Sequence, residues 1–168
     1  MSRVSERIED RQKLQRLFQF DLWCTRKLNR IIQSGQIYDQ EPACYAFLSH
    51  IVHVQQKWYD RVTGNDSEPV YQWEDIHPAD LNAKARKVHG KWIDLIGDHD
   101  ADLDSTIYWI NEKGVEYAGS LRQICNHLIV HGQHHRAQIS LLMEQCGEEP
   151  PSIDYNHYAS AYSALMGQ

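Results

Sequence analysis

Apolar residues recur at three- and four-residue spacing along most of this 168-residue chain, and that rhythm points to packed helices. In the first such pattern, from about Ser5 to Gln33, Leu14, Leu17, Phe18, Leu22, Leu28 and Ile32 share a face. Gly35, in the loop "SGQIYDQEP", is placed to stop it. The second runs from Pro42 to Thr63 with a stripe of Phe47, Leu48, Ile51, Val54, Trp58 and Val62, and Gly64 ends it. Pro42 is tolerated at the start because first-turn amides have no intrahelical partner. The polar connector "NDSEPVYQWEDIHP" leads to a third helix over Ala79 to Gly97, carrying Leu81, Val88, Trp92, Leu95 and Ile96.

The helical rhythm then breaks. "STIYWINEKGVEYAGS" is rich in β-branched and aromatic residues around "NEKG", which reads as a short hairpin or extended connector. Ser120 followed by Gln123 forms a capping box that opens a fourth helix, and Gly147 ends it before "EEPP". A short last helix covers Tyr155 to Leu165. With no repeat, low-complexity tract or convincing boundary, residues 1–168 read as one domain of all-α class, a four-helix bundle. Trp23 and Trp58 are the tryptophans expected nearest the bundle interior.

Charge narrows the function. The net charge is −6 and no basic stripe stands out, which disfavours nucleic-acid backbone binding. No apolar run reaches membrane-spanning length, and "MSRVSERIEDRQ" is too charged for a signal peptide, so a cytoplasmic location is expected. Cys24, Cys44, Cys125 and Cys146 are far apart with no CxxC pair. They are expected to be reduced, small buried residues rather than zinc ligands or nucleophiles.

The fourth helix contains "NHLIVHGQHHRAQI", with His127, His131, His134 and His135. Measured on the helical wheel against Leu121, Ile124, Leu128, Ile139 and Leu142, His135 falls near the stripe's centre and His131 within about 50° of it. His127 lies about 90° away and His134 about 110°, looking outward. Two imidazoles one turn apart on a core-facing stripe need partners for their nitrogens. Two readings stand: a hydrogen-bonded core pair, or an i, i+4 grip on Zn²⁺, Ni²⁺ or a similar divalent ion.

The second helix offers a further ligand. His50 sits on the border of its stripe, about 95° from the centre, while His53 is about 155° off and faces water. The set His50, His131 and His135 would leave a coordination position open, as catalytic sites do. His77, His89, His99 and His157 are read as loop or surface residues, His157 lying with Asp154 near the C-terminus. Gln138, Asp154 and His127 are possible supporting groups, His127 also a possible fourth ligand, and Arg136 is read as a surface or dimer-contact charge.

"LSHIVHVQQKW" resembles the second-helix pattern of the DinB-like family, in which a ligand His precedes an aromatic by eight residues. "NHLIVHGQHHRAQISLLMEQCGEEPPSID" resembles that family's fourth-helix signature, an Asn-His, then His-His-Arg-Gly-Gln, a later Gly and PP-x-D. The resemblance covers nearly the whole chain. It implies a metal triad of His50, His131 and His135, an up-down-down-up bundle, and frequently a homodimer. Its members include bacillithiol and mycothiol S-transferases. Two positions depart from the pattern: Ala137 stands where Gly is common, and Trp23-Cys24-Thr25 where the family has Trp-Ala-Asn.

The leading expectation is therefore a divalent-metal enzyme acting on a small-molecule substrate, with a low-molecular-weight thiol or water as the activated nucleophile. The alternatives are a metal- or ligand-binding dimer without turnover, its sphere closed by His127, and a structural bundle. Di-iron chemistry is disfavoured because no Glu-x-x-His occurs in the helices. A nucleophile-elbow hydrolase lacks its strand-turn-helix setting.

Overall fold

A computed structural model of the chain describes residues 3–34, 41–65, 72–111 and 113–166. Those residues form α1 (Arg3–Ser34), α2 (Pro42–Val62), α3 (Pro78–Gly97), β1 (Thr106–Ile110), β2 (Glu116–Ser120), α4 (Leu121–Gln145) and α5 (Tyr155–Met166). The described residues are mostly helical, with one small two-stranded sheet. Among these helices α1 packs chiefly on α3, and α2 on α4. The expected stop at Gly35, residues 66–71 of the polar connector and Glu112 of "NEKG" lie outside the described residues.

Local chemistry sets the boundaries. Pro42 and Pro78 open α2 and α3, where a missing N–H costs nothing. A Glu41 carboxylate oxygen and His77 Nδ1 accept from the amides of Ala43 and Ala79, each at 3.3 Å. The capping box at α4 is complete: Ser120 Oγ accepts from the Gln123 amide at 3.2 Å, and Gln123 Oε1 from the Ser120 amide at 2.8 Å. Gly147 follows α4 with φ of +82°, a left-handed conformation that glycine adopts without a Cβ clash.

The segment before α4 is an antiparallel hairpin, with Thr106 opposite Ser120 and Ile110 opposite Glu116. Asn111 Oδ1 accepts from the amides of Lys113 and Val115, both at 2.9 Å, and Gly114 turns the chain with φ of +76°. Strand alternation puts Ile107 and Trp109 on the packed side and Tyr108 and Ile110 in solvent. Trp109 meets Trp58 of α2 edge to face, ring centroids 5.0 Å apart.

The main core gathers Phe18, Leu28, Ile32, Leu48, Ile51, Leu81, Ile96, Leu128 and Ile139. Trp92 is the fully buried tryptophan at its centre, stacked on Phe18 and donating from Nε1 to the Gln55 carbonyl at 3.1 Å. This corrects the expectation for Trp23 and Trp58. Trp58 packs against the core edge, and Trp23 belongs to a separate cluster with Phe20, Cys24 and Tyr158, which docks α5 on α1.

A second correction concerns Arg136. It is not a surface charge: it is fully buried and paired with Asp21 of α1, also fully buried. Asp21 Oδ2 also lies 2.8 Å from Gln55 Nε2 of α2 and 2.8 Å from His89 Nε2 of α3. One carboxylate thus ties four helices together, and His89, read as an ordinary surface residue, is part of the core. Burial alone would raise the Asp21 carboxyl, but the charges of Arg136 and His89 and their hydrogen bonds hold it well below the usual carboxylate range. Gly132 makes room for the pair. A Cβ there would meet Asp21 Oδ1 at 2.8 Å and both terminal Arg136 nitrogens at 3.0 Å.

Candidate metal centre

The buried face of α4 includes Cys125, Gly132, Arg136 and Met143 as well as the aliphatic stripe. Its centre therefore lies about 40° from where the apolar residues alone place it. That rotation moves His131 and His135 from the middle of the core to its edge, where both are half-buried. His50 of α2, expected on a border, is instead buried, with 5% of its surface exposed.

The structure brings these three side chains together. Each of His50, His131 and His135 offers a ring nitrogen lying within 4.8 Å of the others'. Nε2 of His131 and Nε2 of His135 are 3.2 Å apart, close to the roughly 3.3 Å expected between two nitrogens bound to one tetrahedral zinc at about 2.05 Å.

The hydrogen bonds fix which nitrogens point inward. His50 Nδ1 lies 2.9 Å from the Gln72 carbonyl, which accepts only, so Nδ1 carries the proton and Nε2 keeps its lone pair. The same logic applies to His135, whose Nδ1 donates to Gln138 Oε1 at 2.7 Å. Such outward bonds orient metal-binding imidazoles and raise their basicity as ligands. With His135 Nε2 left as an acceptor, His131 Nε2 can donate to it or share a cation with it.

Burial also keeps the rings neutral. It pushes His131 down to about 3, reinforced by the neighbouring His135, His50, His127 and His134. His50 and His135 are lowered too, chiefly by burial, although the bonds to Gln72 and Gln138 oppose the shift. Three neutral, convergent imidazoles, two of them with tautomers oriented by outward bonds, fit a divalent ion. Aromatic rings cover the group: Trp73 stacks on His50 with centroids 3.8 Å apart, and Phe47 on His135 at 5.3 Å.

The other candidates fall elsewhere. His127 is outside the three-histidine group, its ring 5.6 Å from His131 and 5.9 Å from Trp58. His134 is exposed, as expected. His53, expected to face water, is half-buried, and burial lowers it as well. Asp154 and His157 join Ser152 in an exposed cluster where α5 begins. All four cysteines are free, and burial pushes Cys24 and Cys125 up to about 12 and Cys44 to about 11. Such thiols are poor nucleophiles at neutral pH. Sequence reasoning missed Gln72 and Trp73. The first acts through a backbone carbonyl, which no side-chain pattern announces; for Trp73 the signal was an aromatic within a polar connector.

A pH dependence follows. Histidines kept neutral in the folded chain, but ordinary near 6.5 when unfolded, make the unfolded state bind more protons below that value. Metal-free protein should therefore lose stability as pH falls below 6.5, each such histidine contributing up to about 1.4 kcal/mol per pH unit. Urea midpoints at intervals from pH 7.5 to about 5 would check it. A midpoint constant across that range would contradict the burial argument.

The sequence model of the DinB family matches residues 35–164. Among curated proteins and solved structures, nothing matches the chain.

Proposed function

The chain belongs to the DinB family, and from that premise we propose that it is a divalent-metal enzyme that transfers a low-molecular-weight thiol to electrophilic substrates. The observation that carries this reading is the convergence of His50, His131 and His135 within 4.8 Å. A zinc or nickel ion held there would lower the pKa of a thiol at its open position, allowing attack at neutral pH.

The chain's own residues supply the rest. The Gln72 carbonyl and Gln138 hold the outward protons of His50 and His135, keeping inner lone pairs aimed at one point. Trp73 and Phe47 limit water access from one side. His127, lowered by burial and one turn from His131 with its ring 5.6 Å away, is a further group able to take up or return a proton. Its place outside the triad favours an open site over one closed by a fourth protein ligand. The reading includes the up-down-down-up helix order, a single domain, a homodimer and a cytoplasmic small-molecule partner; among the described residues, no helix is long and apolar enough to cross a membrane.

The test is conjugation of a low-molecular-weight thiol, such as cysteine or coenzyme A, to chlorodinitrobenzene by zinc- or nickel-loaded protein. Turnover that requires both metal and thiol, and stops on chelation, is expected. Cleavage of an activated ester at equal rates with and without thiol, with no conjugation, would assign water as the nucleophile and overturn thiol transfer.

A further inference from the structure

The three histidines of the triad are held by unlike means. His131 and His135 stand one turn apart on α4, so the helix itself sets their spacing. His50 comes alone from α2, and its two side-chain torsions decide where Nε2 points. The consecutive residues Gln72 and Trp73 restrain both. The Gln72 carbonyl accepts from His50 Nδ1 at 2.9 Å, which aims the edge of the ring. The Trp73 indole lies on its face with centroids 3.8 Å apart and planes 10° from parallel, which sets the plane.

Apolar burial does not account for the place of Trp73, whose surface is 60% exposed. Its ring contacts do. Besides the stack on His50, it meets His135 and Phe47 edge on, at interplanar angles of 86° and 68°, so two of these three rings belong to the triad. The connector is pinned on its other side as well: the Ile76 amide donates to Ser49 Oγ at 3.1 Å, on the residue before His50. Trp73 is thus held between two bonds to neighbouring residues of α2.

The overlap has a chemical direction. Two electron-rich rings prefer an offset or edge-on arrangement, with centroids about 4.5–7 Å apart, to a close parallel one. A close face-to-face pair is favoured when one ring is electron-poor, and indole is the best of the side-chain faces for a positively charged partner. His50 becomes such a partner when its Nε2 gives a lone pair to a divalent cation. We infer that Trp73 is a positioning residue for His50, its indole fixing the plane of the ring and gripping it most firmly in the metal-bound form. This rests on the metal-site reading above.

Cobalt(II), whose visible absorption reports the number and geometry of its ligands, tests this by titration into the full-length protein. Trp73→Ala should weaken cobalt binding by about tenfold or more and alter the visible spectrum. Trp73→Phe, which restores a stacking face, should recover part of both. A merely structural role would lower the urea midpoint of metal-free protein and leave cobalt affinity and spectrum as in wild type.

Equal cobalt affinity and spectrum in wild type and Trp73→Ala would overturn this inference alone. A wild type that takes up no cobalt would bring down the metal-site reading and this inference with it.

Discussion

Asp21→Ala is expected to cost about 3–5 kcal/mol, a large part of a stability that for a domain of this size is about 5–15 kcal/mol. The reason is what remains behind. Arg136 would stay fully buried with no counter-charge, and Gln55 Nε2 and His89 Nε2 would lose their shared acceptor. A buried guanidinium cannot escape by releasing its proton, so the helices must separate enough to admit water.

Asp21→Leu combined with Arg136→Met should cost much less than the single change, because it removes both charges and leaves apolar volume. The pair is incompletely satisfied even in the native chain: Arg136 Nη1 and Gln55 Oε1 have no hydrogen-bond partner among the described residues. Its value then lies in register more than in net stability. It holds α1 against α4 one residue from the ligand His135. Urea denaturation of the two variants checks this; a loss below about 1 kcal/mol for Asp21→Ala would show that the carboxylate is not a structural hub.

The same cluster shows where sequence reasoning stops. Helix positions and caps were legible because they are local: Pro42, the Ser120–Gln123 box and Gly147 act within a turn of where they stand. The three histidines were legible because an imidazole pair on an apolar stripe is a local anomaly. Asp21, Thr25 and Asn29 are all fully buried on one face of α1, yet a wheel that scores polar residues as solvent-facing places them outside. Only their partners on other helices make burial tolerable for Asp21, and such pairing is not encoded at any fixed spacing. Cys24 of the divergent Trp-Cys-Thr run packs beside α5 with Sγ near the Ile153 carbonyl, while Ala137 is exposed. Neither departure touches the triad.

His131→Ala should abolish tight metal binding. One of three nitrogens would be lost, and structural zinc sites with four ligands bind with about 10–16 kcal/mol, so one ligand carries roughly 3 kcal/mol or more. An affinity loss on the order of 10²–10³-fold follows. In wild type, zinc at about one hundred times its Kd should add about 2.7 kcal/mol of stability by mass action, and in His131→Ala that gain should vanish. Gln138→Ala keeps all three ligands but removes the acceptor that orients His135; it should weaken binding by about 10–100-fold while retaining the ion. The graded order, wild type above Gln138→Ala above His131→Ala, separates a metal site from a polar core. Were His131 merely a core group, zinc would leave the thermal midpoint of wild type unchanged. Its replacement would then relieve acid sensitivity and leave the response to zinc unchanged, because burial holds this ring at about 3 and alanine has no proton to take up.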